Sequence, residues 1–233
     1  WRFTNPAAFN ATGAKSTAFA EAEAKLPFAD IDCLRVVFRD GVFDSDASDD
    51  LADEGLEIER LSTAMQTDIH WAKDLYGALE SKGQVPVARP FAAMNTAFAS
   101  DGVVIRATKP VARPVSLVYL HEQTESDAIL HFVIRVESGA SLTVLENGPA
   151  AARFNKCMEV DVADGAQFHH VRAQGRDHDR IAVTHLFARL GEESVFKSFT
   201  LTANGKMTRN EAFIEIIGDN AVAHIAGAAV GDG

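Results

Sequence analysis

The chain has 233 residues, of which 47% are apolar, and its formal net charge at pH 7 is −11. That charge argues against non-specific binding of nucleic acid or an anionic membrane surface, because phosphate binding needs clustered lysine and arginine side chains. No stretch approaches the roughly 20 consecutive apolar residues of a membrane-spanning helix. Two cysteines do not make a disulfide framework, so we expect a protein of the reducing cytoplasm. The chain begins without methionine and ends inside a repeat, and we therefore expect a fragment.

The N-terminal part of the sequence predicts a small α+β region. Residues 18–25 are rich in alanine and glutamate and are soon followed by a proline, which predicts a short helix. Residues 33–39 are apolar and β-branched, and Asp40-Gly41 separates them from Val42-Phe43. An Asp-Gly pair between two apolar runs predicts a β-hairpin.

An acidic stretch and a helical pattern follow the hairpin. Residues 44–59 contain eight acidic side chains and no basic one, which predicts a solvated loop. An EF-hand calcium loop does not fit, because Asp49 and Gly55 stand where that pattern has glycine and glutamate. Residues 61–79 carry apolar side chains at steps of three and four, which predicts one amphipathic helix. These side chains are Leu61, Met65, Ile69, Ala72, Leu75 and Leu79.

Glycine and proline residues between positions 83 and 90 end the helical pattern. We place a domain boundary there, with an N-terminal region of helices and a β-hairpin over residues 1–90. Residues 91–233 would form a second domain, truncated at its C-terminal end. After residue 94 the sequence consists of short β-rich runs separated by glycine, aspartate and asparagine.

A glycine repeat organises this second part. Four turn glycines follow one another at steps of 26, 26 and 27 residues, each between two apolar runs that alternate with polar residues; they are Gly139, Gly165, Gly191 and Gly218. Alternation buries one face of a strand, and a fixed period stacks the buried faces of successive coils. The fourth unit departs from the register, with Glu215 at an apolar position, and Asp101-Gly102 indicates an earlier, looser coil.

These observations predict a mainly β fold, a parallel β-helix preceded by the small α+β region. We expect the β-helix to be right-handed, because right-handed crossovers between parallel strands are strongly favoured. A β-sandwich is the alternative, but it would show hairpin turns every 8–12 residues or so and no fixed long period.

Residues 168–179 hold the densest group of potential metal ligands, with three histidines and two aspartates. Strand alternation places His169 and His170 on opposite faces, so a regular strand cannot offer both to one ion. The register turns His170 inward, and we interpret it as a packed histidine with a hydrogen-bond partner. We expect His178 to lie in an exposed turn.

The two cysteines receive different interpretations. Cys157 precedes the inward-facing Met158, so we expect an outward, exposed thiol that could bind iron or sulfur, although one ligand does not make a site. Cys33 belongs to the predicted hairpin and is expected to be buried. No glycine-rich phosphate loop is present, and no Ser–His–Asp or Cys–His set follows from spacing, since such sets are defined in space. We assign no catalytic, cofactor-binding or metal-binding residue from the sequence.

Several stretches resemble the SufB/SufD family of iron–sulfur cluster assembly proteins, and within it the SufD type. They are residues 1–5, 35–41 and 91–102, and above all residues 196–227, with Ser198-Phe199-Thr200-Leu201, Gly205, Arg209-Asn210-Glu211, Gly218 and Gly227. Each motif is modest by itself, but their order and spacing run over nearly the whole chain.

The resemblance implies a right-handed parallel β-helix followed by a helical C-terminal domain. It implies pairing with SufB through the β-helix and binding of the SufC ATPase through C-terminal helices that this chain does not include. An Fe–S cluster or iron would lie at the SufB–SufD interface, and a reduced flavin is associated with such complexes. The family's functional cysteine and histidine lie C-terminal to this chain, so no residue here inherits either role.

We therefore interpret the chain as a non-catalytic scaffold subunit of the SufBCD complex. We expect no cofactor on this segment, no nucleic-acid or membrane partner, and a homodimer as a possible state in isolation. The alternatives are a SufB-type paralogue of the same complex and a β-helical carbohydrate-active enzyme. A hexapeptide acyltransferase disagrees with the 26-residue period.

Overall fold

The computed structural model of the protein describes residues 26–148, 150–174, 180–203 and 205–231. The helix predicted over residues 18–25, the motif at residues 1–5 and His178 lie outside the described residues. None of the helices described is both long enough and apolar enough to span a lipid bilayer.

The N-terminal part contains three strands and four short helical segments within the described ranges. They are β1 (Leu34–Arg39), β2 (Val42–Phe43), β3 (Leu56–Arg60), α1 (Leu61–Gln66), a 3₁₀ helix (Trp71–Asp74), α2 (Ala78–Lys82) and α3 (Pro90–Phe98). β1 and β2 pair antiparallel, which confirms the predicted hairpin. Its two turn residues, Asp40 and Gly41, have φ values of 49° and 81°, as a tight hairpin turn requires.

The prediction of a single helix over residues 61–79 is wrong. Three short segments replace it, because the backbone changes conformation twice: the His70 ring accepts a hydrogen bond from the Ala72 amide, and Gly77 adopts a left-handed φ of 73°. Ile69 lies between two of these segments and is 93% exposed. The predicted acidic loop is also too long, since its last residues form β3, which pairs antiparallel with β4.

Ten strands follow, and they alternate between two sheets. They are β4 (Val103–Ala107), β5 (Val115–Leu120), β6 (Asp127–Val136), β7 (Ser141–Glu146), β8 (Arg153–Val162), β9 (Gln167–Ala173), β10 (Ile181–Leu190), β11 (Val195–Ala203), β12 (Met207–Ile216) and β13 (Val222–Val230). Sheet I has the order β13-β11-β9-β7-β5-β1-β2, and sheet II has the order β12-β10-β8-β6-β4-β3.

Each coil therefore contributes one strand to each sheet, and neighbouring coils pair in parallel. This is a parallel β-solenoid of about four turns, which confirms the predicted β-helix. The parallel pairing is incompatible with the alternative β-sandwich of antiparallel sheets. The early coil predicted at Asp101-Gly102 is confirmed by β4, which pairs in parallel with β6. The right-handed sense stays a prediction.

The coils are less regular than the glycine spacing predicts. Equal spacing aligns His170 with Phe196, whereas the structure pairs Phe168 with Phe196 and His170 with Ser198. The sequence separation between paired residues of these two coils is therefore two residues larger than predicted. Because side chains alternate with a period of two, a two-residue shift leaves every predicted inward position facing inward.

The repeated glycines turn out to have two different structural roles. Gly139 and Gly165 occupy left-handed turn positions, with φ values of 71° and 66°, and Glu193 and Asn220 take this conformation in the next two coils. Gly191 instead allows a close approach between coils, because a Cβ there would lie 2.4 Å from Asp164 Oδ1. Gly218 meets the backbone of Glu192 in the same way, where a Cβ would lie 2.0 Å from the amide nitrogen.

The shifted turn also explains the irregular fourth unit. Glu215 pairs with the outward-facing Arg189, while Ile214 packs against the apolar core of the lumen. That core extends from β1 to β11 and includes the contacting aromatic rings of Phe38, Tyr119 and Phe132.

A second apolar cluster lies on the outer face of sheet II, beneath the N-terminal helices. It includes Leu61, Leu75, Leu79, Val133, Cys157 and Phe187. The N-terminal region thus covers one outer wall of the β-helix, while β1 and β3 extend its two sheets. The domain division at residue 90 stays a prediction.

Candidate functional site

The lumen changes from apolar to charged toward the later coils. Inward-facing positions of β7, β8 and β9 carry four ionisable side chains that are at most 5% exposed. These side chains, which we call the lumenal ion cluster, are Glu146, Lys156, His170 and Arg172. Charged groups are rarely buried to this degree unless they are paired, so the cluster is the first candidate for a functional site.

Glu146 is the centre of the cluster. Its carboxylate accepts hydrogen bonds from Lys156 Nζ at 2.7 Å, from His170 Nε2 at 2.6 Å and from the Tyr119 hydroxyl at 2.8 Å. Burial raises the pKa of this carboxyl group, but the surrounding cations and hydrogen bonds outweigh burial and hold the pKa well below its usual value. Glu146 is therefore a carboxylate at neutral pH.

The other members are shifted toward their neutral forms. Burial lowers the pKa of Lys156 to about 8, although Glu146 opposes that effect. Burial also lowers the pKa of His170, so its imidazole is neutral at neutral pH. The pKa of Arg172 is lowered too, mainly by burial, but a guanidinium stays charged near neutral pH. One carboxylate therefore faces an ammonium and a guanidinium.

Arg172 links the two sheets across the lumen. Its guanidinium donates to Thr184 Oγ1 at 2.9 Å and to Asn210 Oδ1 at 2.8 Å, and both acceptors belong to sheet II. The Thr184 hydroxyl in turn donates to Asn210 Oδ1 at 2.8 Å. Within the described part of the chain, Nε of Arg172 is buried and has no hydrogen-bond partner.

A cavity of about 390 Å³ lies beside the lumenal ion cluster. His170, Arg172, Ser198 and Thr200 line one side, and the small residues at positions 226–229 of β13 line another. Gly227 lies opposite Thr200 in the strand register, and a Cβ at Gly227 would lie 3.3 Å from the Thr200 carbonyl oxygen. Lys156, Arg172 and the Glu211 carboxylate also line the cavity, so it holds charges of both signs, and it borders the last described coil.

A second buried polar network joins the N-terminal helices to the β-helix. The Glu159 carboxylate accepts hydrogen bonds from the amides of Leu79 and Glu80 at 2.8 and 3.0 Å, and a third from the amide of Gly77. The His131 ring is hydrogen-bonded to the same carboxylate through its Nε2, and its Nδ1 is hydrogen-bonded to Asn95 Oδ1. Because these groups satisfy one another and none of them lines the cavity beside the lumenal ion cluster, we interpret the network as structural.

The interpretation of the histidines is confirmed where the structure describes them. His170 faces the lumen, is 3% exposed and has hydrogen-bond partners in Ser198 and Glu146. His169 points to the opposite face and is half-buried. Within the described ranges, no group of three or more His, Cys, Asp and Glu side chains could hold a metal ion.

The prediction that the Cys157 thiol is exposed is wrong. Cys157 does face out of the lumen, but the N-terminal helices cover it completely, and its exposure is 0%. Burial raises the pKa of its thiol well above the usual value, which disfavours the thiolate that binds iron or sulfur. Cys33 is 8% exposed, which confirms its predicted burial.

Sequence reasoning missed most of the lumenal ion cluster. Lys156 stands two residues before the inward-facing Met158, and Glu146 stands two residues after the inward-facing Val144. Both charged residues therefore stand at positions that the alternating pattern assigns to the lumen. A charged residue at such a position is the signal that could have identified the cluster.

The architecture and the buried cluster define the class of protein as a parallel β-helix with a charged lumen near its last described coil. Residues 119–233 match the family model described as SUF system FeS cluster assembly, SufBD core domain. These residues, about half of the chain, are similar to the core domain shared by SufB and SufD, and the match supports a role in SUF iron–sulfur cluster assembly. A search of curated proteins found no match.

Proposed function

We propose that this chain is a scaffold subunit of the SufBCD complex, of the SufD type, which assembles an Fe–S cluster as cargo together with SufB. The observation that carries the proposal is the family match over residues 119–233, because these residues include the complete strands β6 to β13. A scaffold role needs a rigid wall and a binding edge, and the stacked coils provide the rigid wall.

The last described coil provides the binding edge. β12 and β13 stand at the ends of their sheets, so each presents one row of backbone N–H and C=O groups without a neighbouring strand in the described structure. Such edges accept a partner strand. Ile216, Ile225 and Val230 are each more than half exposed along this coil, which adds apolar area for a protein partner. We propose that SufB joins here or on the chain that continues from here.

The remaining parts of the proposal follow from the same family. SufC would bind helices C-terminal to this chain, and the cluster or iron would lie at the interface with SufB and not on the described residues. A reduced flavin would belong to the whole complex. We propose the cytoplasm as the site of this assembly.

Co-purification tests this proposal. The 233-residue chain, expressed with tagged SufB, should be captured with SufB, whereas tagged SufC expressed without SufB should capture the chain only when the chain is extended by its C-terminal helices. Capture of the chain by tagged SufD and not by tagged SufB would indicate the SufB-type paralogue instead. A chain that elutes as a monomer and binds neither protein would contradict the scaffold role.

A matched pair of variants locates the interface. Ile225→Asp places a charge on the apolar, inward row of β13, while His224→Asp places the same charge on its outer row. Both residues are exposed in the described structure. Only Ile225→Asp should reduce capture of SufB; equal effects of the two variants would argue against an interface at this coil.

A further inference from the structure

Three lumenal side chains form a continuous chain of hydrogen bonds. Ser198 Oγ lies 2.9 Å from His170 Nδ1, and His170 Nε2 lies 2.6 Å from Glu146 Oε1. The three residues come from three neighbouring strands of sheet I, so 24 residues separate Glu146 from His170 and 28 separate His170 from Ser198. A serine bound to a histidine that is itself bound to a carboxylate is the arrangement that activates a serine nucleophile.

The protons of this chain can be assigned from its chemistry. An ionised carboxylate only accepts, so Nε2 of His170 carries the proton that it donates to Glu146. In the neutral imidazole, Nδ1 is then an acceptor, and the Ser198 hydroxyl donates to it. His170 is therefore oriented to take the Ser198 proton, and Glu146 holds the ring in this tautomer.

The Ser198 hydroxyl is also accessible. Ser198 is half-buried and lines the 390 Å³ cavity together with His170 and Arg172. Arg172 stands two residues after His170 on β9, so both side chains point into the same lumen. Arg172 lines the cavity, and its positive charge would stabilise an oxygen that gains negative charge beside Ser198.

We propose that Ser198 is a nucleophile that accepts an acyl group from a small ester, with His170 as its base and Glu146 as a positioning residue. Ser198 Oγ would attack the carbonyl carbon while His170 Nδ1 takes the hydroxyl proton. The bond from that carbon to the leaving oxygen would break, and His170 would return the proton to the departing alcohol. The charge of Arg172 would stabilise the carbonyl oxygen during attack, and the products are acyl-Ser198 and the free alcohol. This activity is independent of the proposed scaffold role.

The charges around His170 act in both directions. Glu146 favours the imidazolium that forms during attack, whereas Lys156 and Arg172 disfavour it. The size of the cavity admits small acyl groups, and its cations do not repel a neutral ester. We therefore expect acylation of Ser198 to be selective but slow.

Acetylation by p-nitrophenyl acetate tests the proposal. After incubation of the folded protein, peptide mass spectrometry should find one acetyl group on Ser198. Ser198→Ala should abolish it, and His170→Gln should slow it by about 100-fold, as expected for loss of a general base. Ser141→Ala is the matched control, because Ser141 is a half-buried serine in the same sheet, and it should leave the acetylation of Ser198 unchanged.

Two results would overturn the proposal. One is acetylation of lysines with Ser198 unmodified; the other is His170→Gln reacting at the rate of the unchanged protein. Circular dichroism should confirm that His170→Gln folds. If it does not fold, Ser198→Cys replaces it, and the pH dependence of its alkylation by iodoacetamide is measured. A thiol more acidic than free cysteine supports activation by His170, and an ordinary thiol profile opposes it.

Discussion

His131 and Glu159 are joined by a hydrogen bond of 2.8 Å, and both side chains are completely buried between the β-helix and the N-terminal helices. The Glu159 carboxylate also accepts hydrogen bonds from backbone amides at the start of α2. One side chain on β8 therefore fixes the position of the helical region. Burial of Cys157, two residues earlier on the same strand, depends on that arrangement.

Glu159→Ala should reduce the free energy of unfolding by about 3–5 kcal/mol, because it leaves buried amides and His131 without their acceptor. Urea denaturation followed by circular dichroism measures this loss. The control is Glu137→Ala, whose ion pair with Arg106 is about one-third exposed and should be worth about 0–1 kcal/mol. Equal losses in the two variants would contradict the anchoring role of Glu159.

The buried lysine predicts an unusual dependence of stability on pH. The pKa of Lys156 is about 8 in the folded protein and near 10.5 in the unfolded chain, so between these values the unfolded state binds more protons. The contribution of Lys156 to the free energy of unfolding should therefore rise with pH over this window, by at most about 1.4 kcal/mol per pH unit. Denaturation of the protein and of Lys156→Met from pH 7 to 11 isolates the effect; identical curves would contradict it.

Removal of the Glu146 carboxylate alone should destabilise the protein more than removal of both Glu146 and its partner Lys156. Glu146→Leu leaves Lys156 and Arg172 as buried cations without their counter-ion and should cost about 3–5 kcal/mol. Adding Lys156→Met removes one of those cations, and the double variant should recover at least half of the loss. A double-mutant cycle in urea measures the coupling. Additive losses would show that Glu146 and Lys156 do not interact.

Both native thiols should be protected in the folded protein. Cys157 is fully buried with a raised thiol pKa, and Cys33 is 8% exposed, so a chromogenic disulfide reagent should react with neither until denaturant is added. Val42→Cys provides the positive control, since Val42 is 57% exposed and its replacement should react at once. Rapid reaction of Cys157 in the native protein would contradict the covering by the N-terminal helices.

The turn positions can be separated from the glycine repeat by substitution. Gly165→Ala should lower the free energy of unfolding by about 1–2 kcal/mol, because its φ is left-handed. Glu193→Gly should raise it by up to about 1 kcal/mol for the same reason, less the added freedom of the unfolded chain. If turns followed the glycine spacing alone, Glu193→Gly would destabilise the protein. Thermal and urea denaturation distinguish these outcomes.

Local patterns in the sequence were sufficient for the coils. Alternation in residues such as Phe132, Ile134 and Val136 specifies an inward face, and the recurring glycines show that the faces stack. The same reasoning failed for residues 61–79, because helical spacing of apolar side chains does not reveal where the backbone breaks. It also failed to distinguish two structural roles of glycine, because a left-handed turn and a close contact between coils both favour glycine.

The sequence by itself determined the parallel β-helix, the inward position of His170 and the resemblance to the SufB/SufD family, because each depends on order and spacing along one chain. The tertiary structure alone decided the burial of Cys157 and the contacts that bring Glu146, Lys156, His170 and Ser198 together in the lumen. Those contacts join residues from different coils, and their distances depend on a strand register that shifts by two residues between coils. Local alternation can place a residue on the inward face, but its hydrogen-bond partner from another coil depends on how the coils pack.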